Sequence, residues 1–334
     1  MMRISLKTRI VCLQLCLTLA STLQAADKFV SFIREEGTLE LVTSQQRSFS
    51  ILCADEEHKG VLTAVHSLQE DFYKVADIRP ALVADAKQKG SADGQNVRIL
   101  IGSFDESPFI KQLVKSKKLD ARELKGKNEK FIITTVKDPV EGIPGEVLLI
   151  AGSDKRGTIY GVYELSRQIG VSPWYWWADV PVKKHKTLYV DAPTTVSKTP
   201  SVKYRGVFLN DEDWGLKPWA AKTFEKERGN IGPRTYAKIC ELLLRLKANH
   251  LAPAMHPVST AFYKIPENKL VADTFAIVMG SSHCEPLLLN TASEWNSKTM
   301  GPWDYGKNKD KINEVLGNRV KENCAYENVY TLAL

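Results

Sequence analysis

Along residues 28–193 the apolar positions alternate between two textures. Short, mainly apolar runs at 49–53, 98–101, 131–136 and 147–151 read as strands. Between them, 60–75 and 155–169 carry apolar residues at helical spacing. In the second of these, Ile159, Val162, Ser166 and Ile169 share one face, Ser153 or Asp154 can cap the start, and Gly170 can end it. The alternation predicts an α/β domain of modest size. A short polar stretch at 191–200, containing Pro193 and ending at Pro200, then marks a linker.

Beyond the linker the pattern predicts a strand over 202–210, a helix over 233–247 and a strand over 248–255. In that helix Ile239, Leu242, Leu243 and Leu246 share a face. A helix over 266–271, a strand over 274–280 and a polar helix over 309–326 follow, leading into an apolar run at 328–334. Strands alternating with helices, each strand ending in polar residues, predict a (β/α) barrel with its chemistry at the C-terminal strand ends. A complete barrel takes about 250 residues, and 202–334 holds only about half that. The expected fold class is therefore α/β, a small N-terminal α/β domain followed by the first half of a TIM-type (β/α)8 barrel. The expected boundaries are a leader over 1–25, the N-terminal domain over 26–195 and the partial barrel over 196–334. Half a barrel leaves unpaired parallel edges, so the expectation includes truncation of a longer gene product or completion by something else.

The leader changes the compartment. Arg3, Lys7 and Arg9 precede an apolar run at 10–20, and small and polar residues lead to Ala25. Those features describe a secretory signal peptide, cut after Ala25 or Ala26. The apolar run is shorter than the roughly 20 residues that span a bilayer. The mature protein is expected to be secreted, periplasmic or extracellular, with no membrane attachment after cleavage. Loss of three basic residues lowers the formal charge from +7 to about +4. Acidic and basic residues stay interspersed, which argues against a nucleic-acid partner. Cys53, Cys240, Cys284 and Cys324 remain, widely spaced, so apolar burial and not disulfides must supply the core. No CxxC pair and no HExxH motif occurs, so neither a metal nor a cofactor is expected.

Asn210-Asp211-Glu212-Asp213-Trp214, directly after an apolar strand, is the most informative stretch. Glycoside hydrolysis needs one carboxyl to protonate the leaving oxygen and another to activate water or attack. Crowded carboxylates also raise one another's pKa, which suits one of them to acid work. A solvated loop whose Asp caps the next helix fits the same residues. Ser281-Ser282-His283-Cys284-Glu285-Pro286 has the same placement after a later strand: His283 can bind a sugar oxygen and Glu285 can orient it, or His283 can be structural. Cys284 is a poor nucleophile partner for His283, because neighbours on a strand point to opposite faces. Trp174-Tyr175-Trp176-Trp177 reads either as a sugar-stacking platform or as a packed domain junction. Gly152 to Thr158 reads as a strand–turn–helix junction, since no Lys-Ser/Thr follows Gly157. Asn249, His250 and His256 are further pocket candidates on the second barrel strand.

These stretches resemble glycoside hydrolase family 115, the xylan-debranching α-glucuronidases. Residues 151–166, Ala-Gly-Ser-Asp-Lys-Arg-Gly-Thr-Ile-Tyr-Gly-Val-Tyr-Glu-Leu-Ser, and 173–181, Pro-Trp-Tyr-Trp-Trp-Ala-Asp-Val-Pro, look like that family's N-terminal domain. Residues 204–216, 246–255, 266–269 and 279–286 look like its barrel segments. The resemblance implies an exo-α-1,2-glucuronidase that removes (4-O-methyl-)glucuronic acid from xylan with inversion. Carried over residue by residue, it makes Asp213 and Asp211 catalytic candidates. Asn210, Glu212, Trp214, His283, Glu285 and His250 become substrate-binding candidates. The implied partner is a xylan-derived oligosaccharide or polysaccharide, with a homodimer as an option for the full-length form. An anionic uronate calls for a cationic clamp, typically Arg, and the only Arg on the predicted strand ends is Arg205, inside the first one. Ala252 and His256 depart from the bulky aromatics expected at their positions. A non-catalytic sugar-binding protein and another exo-glycosidase, such as a hexosaminidase, are the alternative readings.

Overall fold

The computed structural model describes residues 28–85, 96–210 and 212–332. The expected leader and Asp211 lie outside the described residues. Strands are numbered along the chain: β1 (Val30–Ser31), β2 (Leu39–Val42), β3 (Ser50–Leu52), β4 (Ala81–Val83), β5 (Val97–Ser103), β6 (Phe131–Lys137), β7 (Glu146–Gly152), β8 (Leu188–Val190) and β9 (Thr195–Val196). A large sheet runs β4-β3-β5-β7-β6-β9, and a small one β1-β8-β2. In the large sheet β4, β3, β5 and β7 are parallel, while β6 and β9 pair antiparallel.

The apolar runs form central strands because both sheet faces are covered. Ile99 and Ile101 of β5 enter one core cluster while Leu100 enters the other, and all three are fully buried. Helix α1 (Lys59–Ala76) and helix α3 (Lys155–Gln168) cover the first face, and α2 (Pro108–Lys115) covers the second. Asp154 caps α3 by accepting from the Gly157 N–H at 2.8 Å, and Gly170 ends it at φ +107°. A Cβ at Gly157 would lie 2.1 Å from the Lys130 carbonyl oxygen, so glycine is what lets this turn approach β6.

The segment expected to be a plain linker is not one throughout. Thr195 and Val196 form β9, which extends the large sheet beside Ile132 and Ile133. Two residues with a polar Thr carry no apolar period. Backbone pairing recruits them, flanked by the Phe131 N–H donating to Ser197 Oγ at 2.8 Å and by a Thr134–Thr194 hydroxyl contact at 3.0 Å.

The second half contributes three parallel strands, β10 (Gly206–Phe208), β11 (His250–Ala252) and β12 (Val278–Met279), in that order. Asn328 bridges Met279 in parallel as a further strand position. Helices α4 (Pro233–Arg245), α5 (Pro266–Thr274) and α6 (Tyr305–Asn323) intervene. This is a mixed α/β arrangement, and no closed barrel forms among the described residues. β10 is shorter than the expected 202–210 and exposed along its length. Leu242 and Leu246, expected on the packed face of α4, line a groove of about 730 Å³ beside Val207, Trp176 and Trp219, and Leu246 is exposed. The apolar sector of α4 is wider than the arc its neighbours cover.

The two halves share one apolar core, from Phe29 to Met279. Buried charge crosses between them as well. Arg245 of α4 meets Asp71 of α1 at 2.8 and 3.1 Å, and Arg205 meets Glu129 at 2.5 Å. No helix among the described residues is long and apolar enough to cross a membrane.

Candidate active site

The loops after β10, β11 and β12 meet at one end of the parallel sheet. From the first loop, Glu212 turns inward and is fully buried. Its Oε1 accepts the backbone N–H groups of Met255 at 2.8 Å and His256 at 2.7 Å, which fixes the loop after β11. Its Oε2 has no hydrogen-bond partner among the described residues. Asp213, next in sequence, turns outward, and its Oδ2 lies 2.6 Å from His256 Nδ1. The hydrogen bond to Asp213 holds the His256 imidazole above its ordinary pKa, with the Glu212 charge adding to the effect.

The third loop is knitted to the second from below. Glu285 is buried; its Oε2 accepts the Ser282 N–H at 2.9 Å and its Oε1 accepts Asn290 Nδ2 at 2.9 Å. Asn290 Nδ2 also donates to the Met255 carbonyl at 2.7 Å. Met255 is thus held from its N–H by Glu212 and from its carbonyl by Asn290. Burial pushes the Glu285 carboxyl above the ordinary carboxylate range, against the donors from Ser282 and Asn290 that pull it down. Removing this acceptor strands two donors, so Glu285→Ala is expected to cost about 1–3 kcal/mol. Urea unfolding checks it, and an unchanged midpoint would mean the loop junction does not depend on this carboxylate.

The candidates therefore separate by position. Asn210, Asp213, Trp214 and His283 are exposed, Trp214 at 83%. Glu212 and Glu285 act from beneath as loop anchors. Asp211 lies outside the described residues. His250 begins β11, at the opposite end of that strand from His256, level with Gly206 and Val278. Its half-buried ring packs under Gly280, where a Cβ would sit 2.4 Å from Nε2, and burial lowers its pKa. Arg205 precedes β10 and is committed to Glu129, the Tyr160 hydroxyl and the Lys247 carbonyl. Asn290 is not among the sequence candidates; it caps the short helix Thr291–Glu294, accepting the Ser293 N–H at 3.1 Å, and an Asn at a helix start is the signal the sequence carries.

The aromatic quartet divides. Tyr175 donates to Glu241 at 2.8 Å and Trp177 Nε1 to the Lys238 carbonyl at 3.1 Å, so both are tied to α4. Trp177 packs on Trp219, which stacks on Phe224. Trp174 and Trp176 stay exposed along the apolar groove.

Residues 197–334, which carry all three loops, match the model of glycosyl hydrolase family 115. That part of the chain is thus similar in sequence to this family. The chain is also similar in structure to a family GH115 4-O-methyl-α-glucuronidase, BtGH115A, with specificity for decorated arabinogalactans. That match has 36% sequence identity and a TM-score of 0.75, and covers 89% of this chain and 36% of that one. The chain thus spans about a third of that enzyme's length. CpGH84D aligns at 11% identity over 88% of this chain and 41% of its own, with a TM-score of 0.45. A GH20 exo β-N-acetylglucosaminidase from Vibrio harveyi aligns at 10% identity over 76% and 34%, with a TM-score of 0.37. Neither likeness is close enough to bear on the fold. No curated protein matches the chain.

Proposed function

We propose that this chain belongs to family 115 and carries part of the active site of a secreted exo-α-glucuronidase. Its substrate is a glucuronic or 4-O-methyl-glucuronic acid branch, α-1,2-linked to xylan or carried on a related decorated polysaccharide. In this reading residues 1–25 are a cleaved leader, 26–195 an α/β domain, and 196–334 the opening strands of a (β/α) barrel. The observation that carries it is the outward Asp213 carboxylate, oriented by His256 above loops that Glu212 and Glu285 anchor. Parallel strands in sequential order with helices between them support the barrel reading. So does the convergence of all three loops at the strands' C-terminal ends.

Hydrolysis with inversion uses one carboxylic acid to protonate the glycosidic oxygen and one carboxylate to take a proton from the attacking water. Asp213 supplies one member of that pair, with Asp211, two positions earlier in the sequence, as the other catalytic candidate. The test is to incubate the protein with 4-O-methyl-glucuronoxylan oligosaccharides and follow the released uronic acid by proton NMR. The β-anomer is expected first. First appearance of the α-anomer would rule out inversion, and absence of any released uronate would show that the acid–base pair is not complete in this chain and favour the sugar-binding alternative.

A further inference from the structure

Arg205, the one cation that the strand pattern offered for a uronate, is engaged at the opposite end of its strand. A basic group that does stand at the mouth is His256. Its Nδ1 is taken by Asp213 at 2.6 Å, and Glu212 Oε1 lies 4.0 Å from the same nitrogen. Both carboxylates come from the loop after β10. From its own loop, the Ser259 N–H and hydroxyl bond only to the His256 carbonyl, each at 3.0 Å. From the loop after β12, Glu285 reaches this region only through Asn290 and the Met255 carbonyl. The ring is about a third exposed, and its Nε2 makes no hydrogen bond among the described residues.

An imidazolium whose Nδ1–H is held by a carboxylate presents a defined Nε2–H on its far side. We infer that His256 is a specificity-determining residue whose Nε2–H binds the carboxylate of the uronosyl group, with Asp213 orienting the ring and Glu212 holding its backbone. This rests on the uronidase reading and adds the group that recognises the sugar's charge. A charged donor to a charged acceptor is stronger than a neutral pair. The site should therefore discriminate a uronate from a neutral sugar of the same shape. The protonated ring is needed, so binding should hold below the raised His256 pKa and weaken as pH climbs through it.

The experiment uses the whole chain with three probes: sodium D-glucuronate, its methyl ester and D-glucose. Binding is followed by NMR on the wild type and on His256→Asn and His256→Gln. Glucuronate is expected to bind the wild type and to lose roughly 10- to 100-fold in affinity in both variants, with any binding of the ester unchanged. If glucuronate binds the wild type and both variants equally, the role assigned to His256 is wrong while the uronidase reading stands. If none of the three probes binds the wild type, the reading of the site fails and this inference with it.

Discussion

Arg245→Ala is expected to cost about 3 kcal/mol of folding stability, since it leaves the buried Asp71 carboxylate with only the part-exposed Lys74 ammonium, at 3.1 Å, as its cation. Arg245 and Asp71 side chains are 2% and 0% exposed. The guanidinium also donates to Glu241 at 2.9 Å and stands over the rings of Tyr163 and Tyr175, at 4.6 and 4.9 Å from their centroids. Truncation therefore strips two carboxylates and two aromatic faces at once. Asp71→Leu combined with Arg245→Met should be milder than either single change, because no charge is left buried alone. Chemical denaturation of the two single variants and the double variant measures this. If Arg245→Ala costs less than 1 kcal/mol, the pair is not what joins α1 to α4.

The same pair shows where sequence reading stops. The central strands of the large sheet were legible because parallel strands covered on both faces leave continuous apolar runs, as at Ile99, Leu100 and Ile101. Helix α3 was legible from its apolar face and from Asp154 and Gly170 at its ends. Nothing in the sequence ties Arg245 to a carboxylate 174 positions away, because buried ion pairing follows from packing and carries no local period. β10 was over-read for a related reason. Its apolar residues suggested a packed strand, yet Val207 and Phe208 are exposed at a sheet edge.

Within the acidic loop the residue types were legible but not their division of labour. Glu212 and Asp213 are adjacent and chemically alike, so spacing could not say which one is buried. The decision lies in partners more than 40 positions on: the Met255 and His256 N–H groups take Glu212, and the His256 ring takes Asp213. Glu285 drew attention as a neighbour of His283, and the structure brings it instead to Ser282 and Asn290.

Asp213→Asn is expected to lower release of 4-O-methyl-glucuronic acid from glucuronoxylan oligosaccharides by about 10²–10⁴-fold, the range ascribed to a positioned acid or base. Asn can still accept the Nδ1–H of His256 through its carbonyl, so the loop should fold as before. What it removes is the negative charge, and the charge has two uses. In the proposed reading it serves the proton transfer, and it holds the pKa of His256 above its ordinary value. A raised histidine pKa keeps the imidazolium fully formed below about pH 6.5, the unperturbed value, and loses it as pH rises through the folded value. In Asp213→Asn the residual activity should therefore fall off at lower pH on the alkaline side than in the wild type. Steady-state rates across pH 5–9 separate the two uses. A large loss in rate with an unmoved alkaline limb would leave Asp213 as an acid or base that does not govern His256. An unchanged rate would remove Asp213 from the chemistry altogether.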